Sequence, residues 1–208
     1  MLMKPKKCKF CKNTYTPTKP LSVVCSATCA FGLARQNGLK KMEKETKDKR
    51  KELKEKTKTL SDYKRELQTE INKIVRAIDY GQDCISSGRP FKDNDQAGHF
   101  YSTSAQPGIR FNLWNIHSQS VSDNMYKSGN FGGFRDGLMI RYGEDLANWI
   151  ACLPIEYKDL KLTKIEVIAA TAKARILSKQ IEKRKRTTAE LIELRKQLNK
   201  SIGIYDQA

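Results

Sequence analysis

The sequence has only two histidines, His99 and His117, and no apolar run of the roughly 20 residues that a bilayer-crossing helix needs. No apolar stretch follows the basic start from Met1 to Lys7, so the chain is expected to be soluble and unsecreted. Core material is thin. Of 208 residues, 38% are hydrophobic and 30% charged, which argues against a single large core and for one or two small domains. Negative charge is also short: 40 Lys and Arg against 23 Asp and Glu leave a net +17, which favours a polyanionic partner through counterion release from phosphates. Nucleic acid is the leading candidate and an anionic membrane surface the weaker one. No internal repeat is found.

Beyond the first thirty residues cysteine is scarce. Cys84 and Cys152 stand alone, and Cys152, close to Trp149 and Ile150, reads as a buried thiol. The other four form two pairs, Cys8-Lys-Phe-Cys11 and Cys25-Ser-Ala-Thr-Cys29, separated by a thirteen-residue loop. Each pair can place two thiolates on one tetrahedral Zn²⁺, and four sulfurs close the coordination sphere, the mark of a structural site. Free buried cysteines or a redox pair are the alternatives. Zinc would supply folding energy that so short a segment cannot gain by burial. The lysines around the pairs suit a DNA-facing role, with a structural or protein-docking role as the plainer reading.

From Ala34 to Lys58 the chain is lysine-rich with interspersed glutamates and almost no apolar face, including Lys40, Lys41, Lys49, Arg50 and Lys51. It should be a solvated helix held by side-chain pairs, or a segment that orders on binding. An amphipathic helix follows from near Ser61, with Leu67, Ile71, Ile74 and Ile78 at helical spacing and Gly81 as a stop. Residues 82 to 131 have the short-element look of a β-hairpin followed by a helix. Beyond Gly133 a short helical pair, broken at Gly143 and Pro154, leads into a long helix from about Thr163. Thr163 and Glu166 fit a capping box there, and Ile165, Ile168, Ala172 and Ile176 form a stripe continued by Leu191, Leu194 and Leu198. The cluster Glu182 to Arg186 is expected to face water or phosphate.

Both histidines fall in the polar middle zone, among Asn112, Asn115, Asn124, Asn130, Arg110 and Lys127. Phosphodiester hydrolysis needs a base for water, a divalent metal and cations for the backbone, and the zone offers each type. Loop and cap roles are the competing reading. Phe100, Phe111, Trp114, Phe131 and Phe134 read as small-domain core rather than base-stacking platforms.

The stretches Ala97-Gly98-His99, Arg110-Phe111-Asn112, Asn115-Ile116-His117 and Lys127-Ser128-Gly129-Asn130, with the cysteine pairs and lysine arm upstream, closely resemble the NinG (Rap) recombination proteins of lambdoid phages. The resemblance implies a structure-selective endonuclease for branched DNA, such as Holliday junctions or D-loops, in the cytoplasm of a bacterial host. The zone also resembles a divergent HNH motif. On that pattern His99 is the general base, Asn115 orients it, Asn124 ligates Mg²⁺ or Mn²⁺, Lys127 and Arg110 bind phosphate, and His117 joins the DNA contacts. The family's acid before Ala97 is Gln96 here, so Asp95 becomes the second candidate ligand, and the family's histidine before Lys127 is Tyr126. A second zinc knuckle in relatives maps to Cys84, Ser87, Ser120 and Asp123, too poor a donor set to hold zinc. Two copies would suit two symmetric incisions. The competing functions are a non-catalytic DNA-binding recombination accessory on a degenerate HNH scaffold and a zinc-stapled protein adaptor.

The expected fold is therefore α+β and mostly α. A zinc-ribbon or knuckle-like module (1–32) and a basic helical arm (33–60) precede a small ββα-metal (HNH-like) domain with its leading helix (61–135) and a C-terminal helical region (136–208).

Overall fold

A computed structural model of the chain describes residues 3–205. The chain divides into two compact units, residues 1–58 and 59–208.

The first unit opens with a two-stranded antiparallel hairpin, β1 (Lys6–Lys7) and β2 (Thr14–Tyr15), in which Lys6 pairs with Tyr15 and Lys7 with Thr14. The turn closes through Cys8 N–H to Asn13 O and Lys12 N–H to Cys8 O, with Lys12 at φ 66°. Helix α1 (Ala27–Lys56) starts where the Ser26 side chain accepts from Cys29 N–H, a standard N-cap. None of its thirty residues is buried, so spaced pairs such as Lys56 with Glu52 (2.7 Å) support it in place of a packed face.

The second unit is built on helix α2 (Leu60–Ile78), opened by a Thr59/Asp62 capping box. It buries Tyr63, Leu67, Ile71, Ile74, Val75 and Ile78 along one stripe, each full burial contributing roughly 1.5–3 kcal/mol. Strands β3 (Gln96–His99) and β4 (Ile116–Gln119) pair antiparallel, with His99 opposite Ile116 and Gly98 opposite His117. Gly98 suits this position, because a Cβ would run into the Gln119 amide, which is itself held by bonds to Ser86 Oγ and Gly129 O. A π-helical turn (Ser122–Tyr126) leads into α3 (Phe131–Tyr142). Gly137 lets α3 settle on the segment at Ile85, whose carbonyl oxygen would be 1.6 Å from an added Cβ. Helices α4 (Glu144–Glu156), α5 (Lys164–Gln180) and α6 (Thr188–Ile202) complete the unit, with α5 and α6 packed against each other and against α2. The architecture is mostly helical with small antiparallel β pairs. Among the described residues no helix is long and apolar enough to cross a membrane.

Several sequence expectations change. The long C-terminal helix is two helices, because Thr187 and Glu190 form a fresh capping box. Arg186 does not face water or phosphate: it is buried and donates from Nη1 to Ala77 O (2.8 Å) and Ile78 O (3.0 Å), where helix α2 ends with unsatisfied carbonyls. The buried face of α5 is Val167, Ala170, Thr171 and Ala174, while Ile165, Ile168 and Ile176 are exposed. Small residues win the interface because they let α5 approach α2 closely. Helix α4 runs through Pro154 rather than ending at it, and Cys152 is exposed rather than buried.

Candidate functional site

In the first unit the hairpin turn carries Cys8 and Cys11, and the entry to α1 carries Cys25 and Cys29. Their four sulfurs lie within 4.8 Å of one another, with Cys11 to Cys25 at 3.6 Å and Cys25 to Cys29 at 3.5 Å. A tetrahedral ion with Zn–S bonds of about 2.3 Å would set its sulfurs about 3.8 Å apart, so this geometry fits a four-thiolate zinc sphere. Burial opposes ionisation of Cys8, but the backbone N–H groups of Cys11, Cys25 and Phe10 outweigh it and lower the thiol to about 6. Cys25 is pushed up to about 12, chiefly by hydrogen bonding with Cys29 and Cys11, as expected of thiols crowded around one point. Among the described residues this is the one cluster of three or more Cys, His, Asp or Glu side chains able to share an ion.

In the second unit His99 ends β3, half-buried. Its Nε2–H donates to Arg110 O at 3.1 Å, which fixes the tautomer and leaves Nδ1 as the nitrogen with a free lone pair. Burial lowers its pKa to about 4, with the Arg110 carbonyl bond opposing, so the ring is a neutral base near pH 7. Asn115, just before β4, is fully buried. The side chain accepts from Tyr101 N–H (2.8 Å) and donates to Tyr101 O (3.1 Å), while its carbonyl accepts from Phe100 N–H (2.8 Å). It thus ties the end of β3 to the start of β4.

The carbonyl that receives His99 belongs to a loop held by α6 and the residues after it. Asn199 Oδ1 accepts from Leu113 N–H (3.0 Å), Arg195 donates to Leu113 O and Ile116 O, and Tyr205 Oη donates to Gly108 O (3.0 Å). Sequence reasoning missed this support, since Arg195 and Asn199 look like ordinary polar positions on an amphipathic helix.

The metal candidates do not converge. Asn124 Nδ2 donates to Gln96 Oε1 at 2.7 Å. Asp95, the residue just before β3, is buried in an ion pair with Arg89 and accepts from Lys92 N–H (3.0 Å). It is thus Gln96, and not Asp95, whose side chain meets Asn124. A single bond joins the two amides, while Gln96 Nε2 lies 3.6 Å from Met125 Sδ and Asn124 Oδ1 keeps its lone pairs. With Gln96 where a carboxylate would stand, the pair offers Mg²⁺ or Mn²⁺ neutral amide oxygens alone, a weak set for ions that take carboxylates, and Tyr126 is exposed.

His117 offers nothing to DNA. It is fully buried between Phe134 and Tyr142, with Nε2 3.1 Å from the Tyr142 hydroxyl, and burial drives its pKa well below 6.5. Arg110 is half-buried, with Nε donating to Gln68 Oε1 (3.1 Å) and its guanidinium 5.3 Å from the Phe111 ring centroid. Lys40, Lys41, Lys49, Arg50 and Lys51 are all exposed on α1.

Beside this centre Cys84, Ser87, Ser120 and Asp123 do come together, around a carboxylate. Asp123 Oδ2 accepts from Ser120 Oγ (2.6 Å) and Cys84 Sγ (3.5 Å), and Oδ1 accepts from Lys127 Nζ (3.1 Å) and Asn130 Nδ2 (3.1 Å). Burial would raise its pKa, but hydrogen bonds from Ser120, Ser87, Lys127 and Asn130 hold it far below the usual carboxylate range. Lys127, which carries the phosphate expectation, is thus anchored at this node with its side chain still 58% exposed.

Residues 1–185 match the family model described as "Bacteriophage Lambda NinG protein". The chain is 32% identical over 168 residues to Protein ninG of Escherichia phage lambda, covering 72% of this chain and 82% of the relative. It is 35% identical over 159 residues to Protein ninG of Enterobacteria phage H19B, covering 70% and 79%. No solved structure matches.

Proposed function

The chain belongs to the NinG (Rap) family of lambdoid phage recombination proteins, and on that premise we propose that it binds branched DNA, such as Holliday junctions and D-loops, as a non-cutting recombination protein on a degenerate HNH scaffold. The observation that carries the partner is α1, a thirty-residue helix with no buried residue and ten Lys and Arg against five Asp and Glu. A helix that buries nothing keeps its whole surface open to a partner, and its excess of cations favours a phosphate backbone. The Gln96–Asn124 amide pair supports the absence of metal-assisted cutting. Zn²⁺ on Cys8, Cys11, Cys25 and Cys29 is proposed as the structural ion that fastens the hairpin to the start of α1.

A second reading, a structure-selective endonuclease, is favoured by His99. Its tautomer leaves Nδ1 to take a proton from water, Asn115 holds the strand end in place, and Lys127 would pair with a phosphate. One experiment separates the two. The full chain is given a four-way junction and a linear duplex of the same sequence, with Mg²⁺ or Mn²⁺, over a range of salt. Salt-steep binding without nicking is expected. Nicking that His99→Ala abolishes would establish the endonuclease, and weak, salt-independent association would remove DNA as the partner.

A further inference from the structure

Of the five aromatic residues expected in the core, Phe100, Phe111, Trp114 and Phe134 are at most 5% exposed, but Phe131 is 49% exposed. Its ring lies parallel to that of Phe100, with centroids 4.6 Å apart and an interplanar angle of 3°, and Tyr101 flanks it at 5.7 Å. One face is thus stacked on a buried ring while half of the residue stands in water. The placement is enforced. Ser128 (φ 49°), Gly129 (φ 83°) and Asn130 (φ 45°) are three successive left-handed residues, and Asn130 is pinned to Asp123 Oδ1 and Ser86 O. Non-glycine residues in that region are held only where their surroundings over-determine them. The surroundings here direct an apolar ring outward at the first residue of α3.

The neighbourhood is cationic and lies against the candidate centre. Arg135 is one helical turn on, on the same face of α3, and is close enough to act electrostatically on Tyr101. Lys127 precedes the ring by four residues with its side chain 58% exposed. Phe100 follows His99 directly, and a Cβ on Gly129 would stand 4.0 Å from His99 O. At Gly132, the next residue along, an added Cβ would meet open space.

We infer that Phe131 is a stacking platform for one unpaired nucleobase, with Arg135 and Lys127 holding the adjoining phosphates. Every base has a flat π face, so such a platform reads strand structure rather than sequence. A branch point offers unstacked bases and a continuous duplex does not, so this site would supply the branch preference of the DNA-binding reading on which it rests.

The test uses the full chain, a forked duplex carrying 2-aminopurine at its first unpaired position, and a linear duplex as control. Phe131→Leu keeps an apolar side chain on Phe100 but removes the π face, and Phe131→Trp keeps it. Wild type and Phe131→Trp are expected to quench the probe on binding. Phe131→Leu should lose the quench and about ten-fold in fork affinity, within the range of one base–aromatic stack, while linear-duplex affinity and thermal midpoint stay unchanged. A quench that survives in Phe131→Leu, or equal losses on fork and linear duplex, overturns the platform alone. Failure of the wild type to bind either DNA overturns the DNA-binding reading and the platform with it.

Discussion

Arg195 and Asp79 form a fully buried pair in which Nη2 donates to both carboxylate oxygens, at 2.7 and 2.8 Å. The pair joins α6 to the end of α2, and each partner reaches further. Arg195 also donates to Ile116 O (3.0 Å), and Asp79 Oδ2 accepts from Ser118 N–H (2.8 Å). Removing Arg195 leaves the buried Asp79 carboxylate with only the more distant Arg141 guanidinium, 4.0 Å from Oδ2, as counter-charge. Arg195→Met is therefore expected to destabilise the second unit by about 3–5 kcal/mol, read as a lower urea midpoint at unchanged m-value. The double variant Arg195→Met/Asp79→Leu should cost less than the two single changes added together, since the buried guanidinium and carboxylate leave the core together.

The Asp123 node makes a second expectation. Asp123→Asn keeps the shape but puts an NH₂ group where one oxygen accepts hydrogen bonds, so a loss of about 1–3 kcal/mol is expected in denaturant unfolding. The x₂ spacings of Cys84 to Ser87 and Ser120 to Asp123 also suggest a converse. Ser87→Cys/Ser120→Cys/Asp123→Cys would provide four thiolates at one point, and the bound zinc measured by elemental analysis should rise from about one to about two per chain. A stoichiometry that stays near one would show that the segments are too far apart to close a metal sphere.

These two centres mark how much was legible in the sequence. The cysteine quartet was readable because metal-ligand spacing is local, and α2 because its apolar period is strict. The face of α5 was not. Its isoleucines look like the core stripe, but contact with α2 is decided by how closely two backbones can approach, which favours Ala170 and Ala174. Nor was the fate of Arg186, whose burial follows from carbonyls at the end of a helix more than a hundred residues away. At the candidate site the hairpin signal was readable, but the meeting of Gln96 with Asn124 depends on the strand register, and the support from Asn199 and Tyr205 leaves no local pattern.

Both histidines titrate against folding. In the unfolded chain each takes a proton near its ordinary value of 6.5, whereas in the folded chain burial lowers His99 to about 4 and holds His117 well below 6.5. As pH falls below 6.5 the unfolded state binds more protons, so stability present above that pH is lost toward pH 4. In His99→Asn the slope over this window should flatten by roughly 1.4 kcal/mol per pH unit, one proton's worth, measured by denaturant melts at half-unit steps. An unchanged slope would mean that the ring protonates freely in the folded protein.

For DNA, the exposed face of α1 gives the most direct quantitative expectation. Lys49, Arg50 and Lys51 are consecutive, exposed and free of packing duties. Gln has a similar helix propensity, so Lys49→Gln/Arg50→Gln/Lys51→Gln should preserve helicity by circular dichroism. Consecutive helical residues point about 100° apart, so a single duplex cannot receive all three equally. If all three neutralised phosphates, the slope of log K against log[salt] would fall by about 2.7 units, at 0.9 per phosphate; with the helix geometry a fall of about one to two is expected. A loss of affinity at unchanged slope would place the DNA elsewhere on the chain, because only a lost phosphate contact changes the number of counterions released.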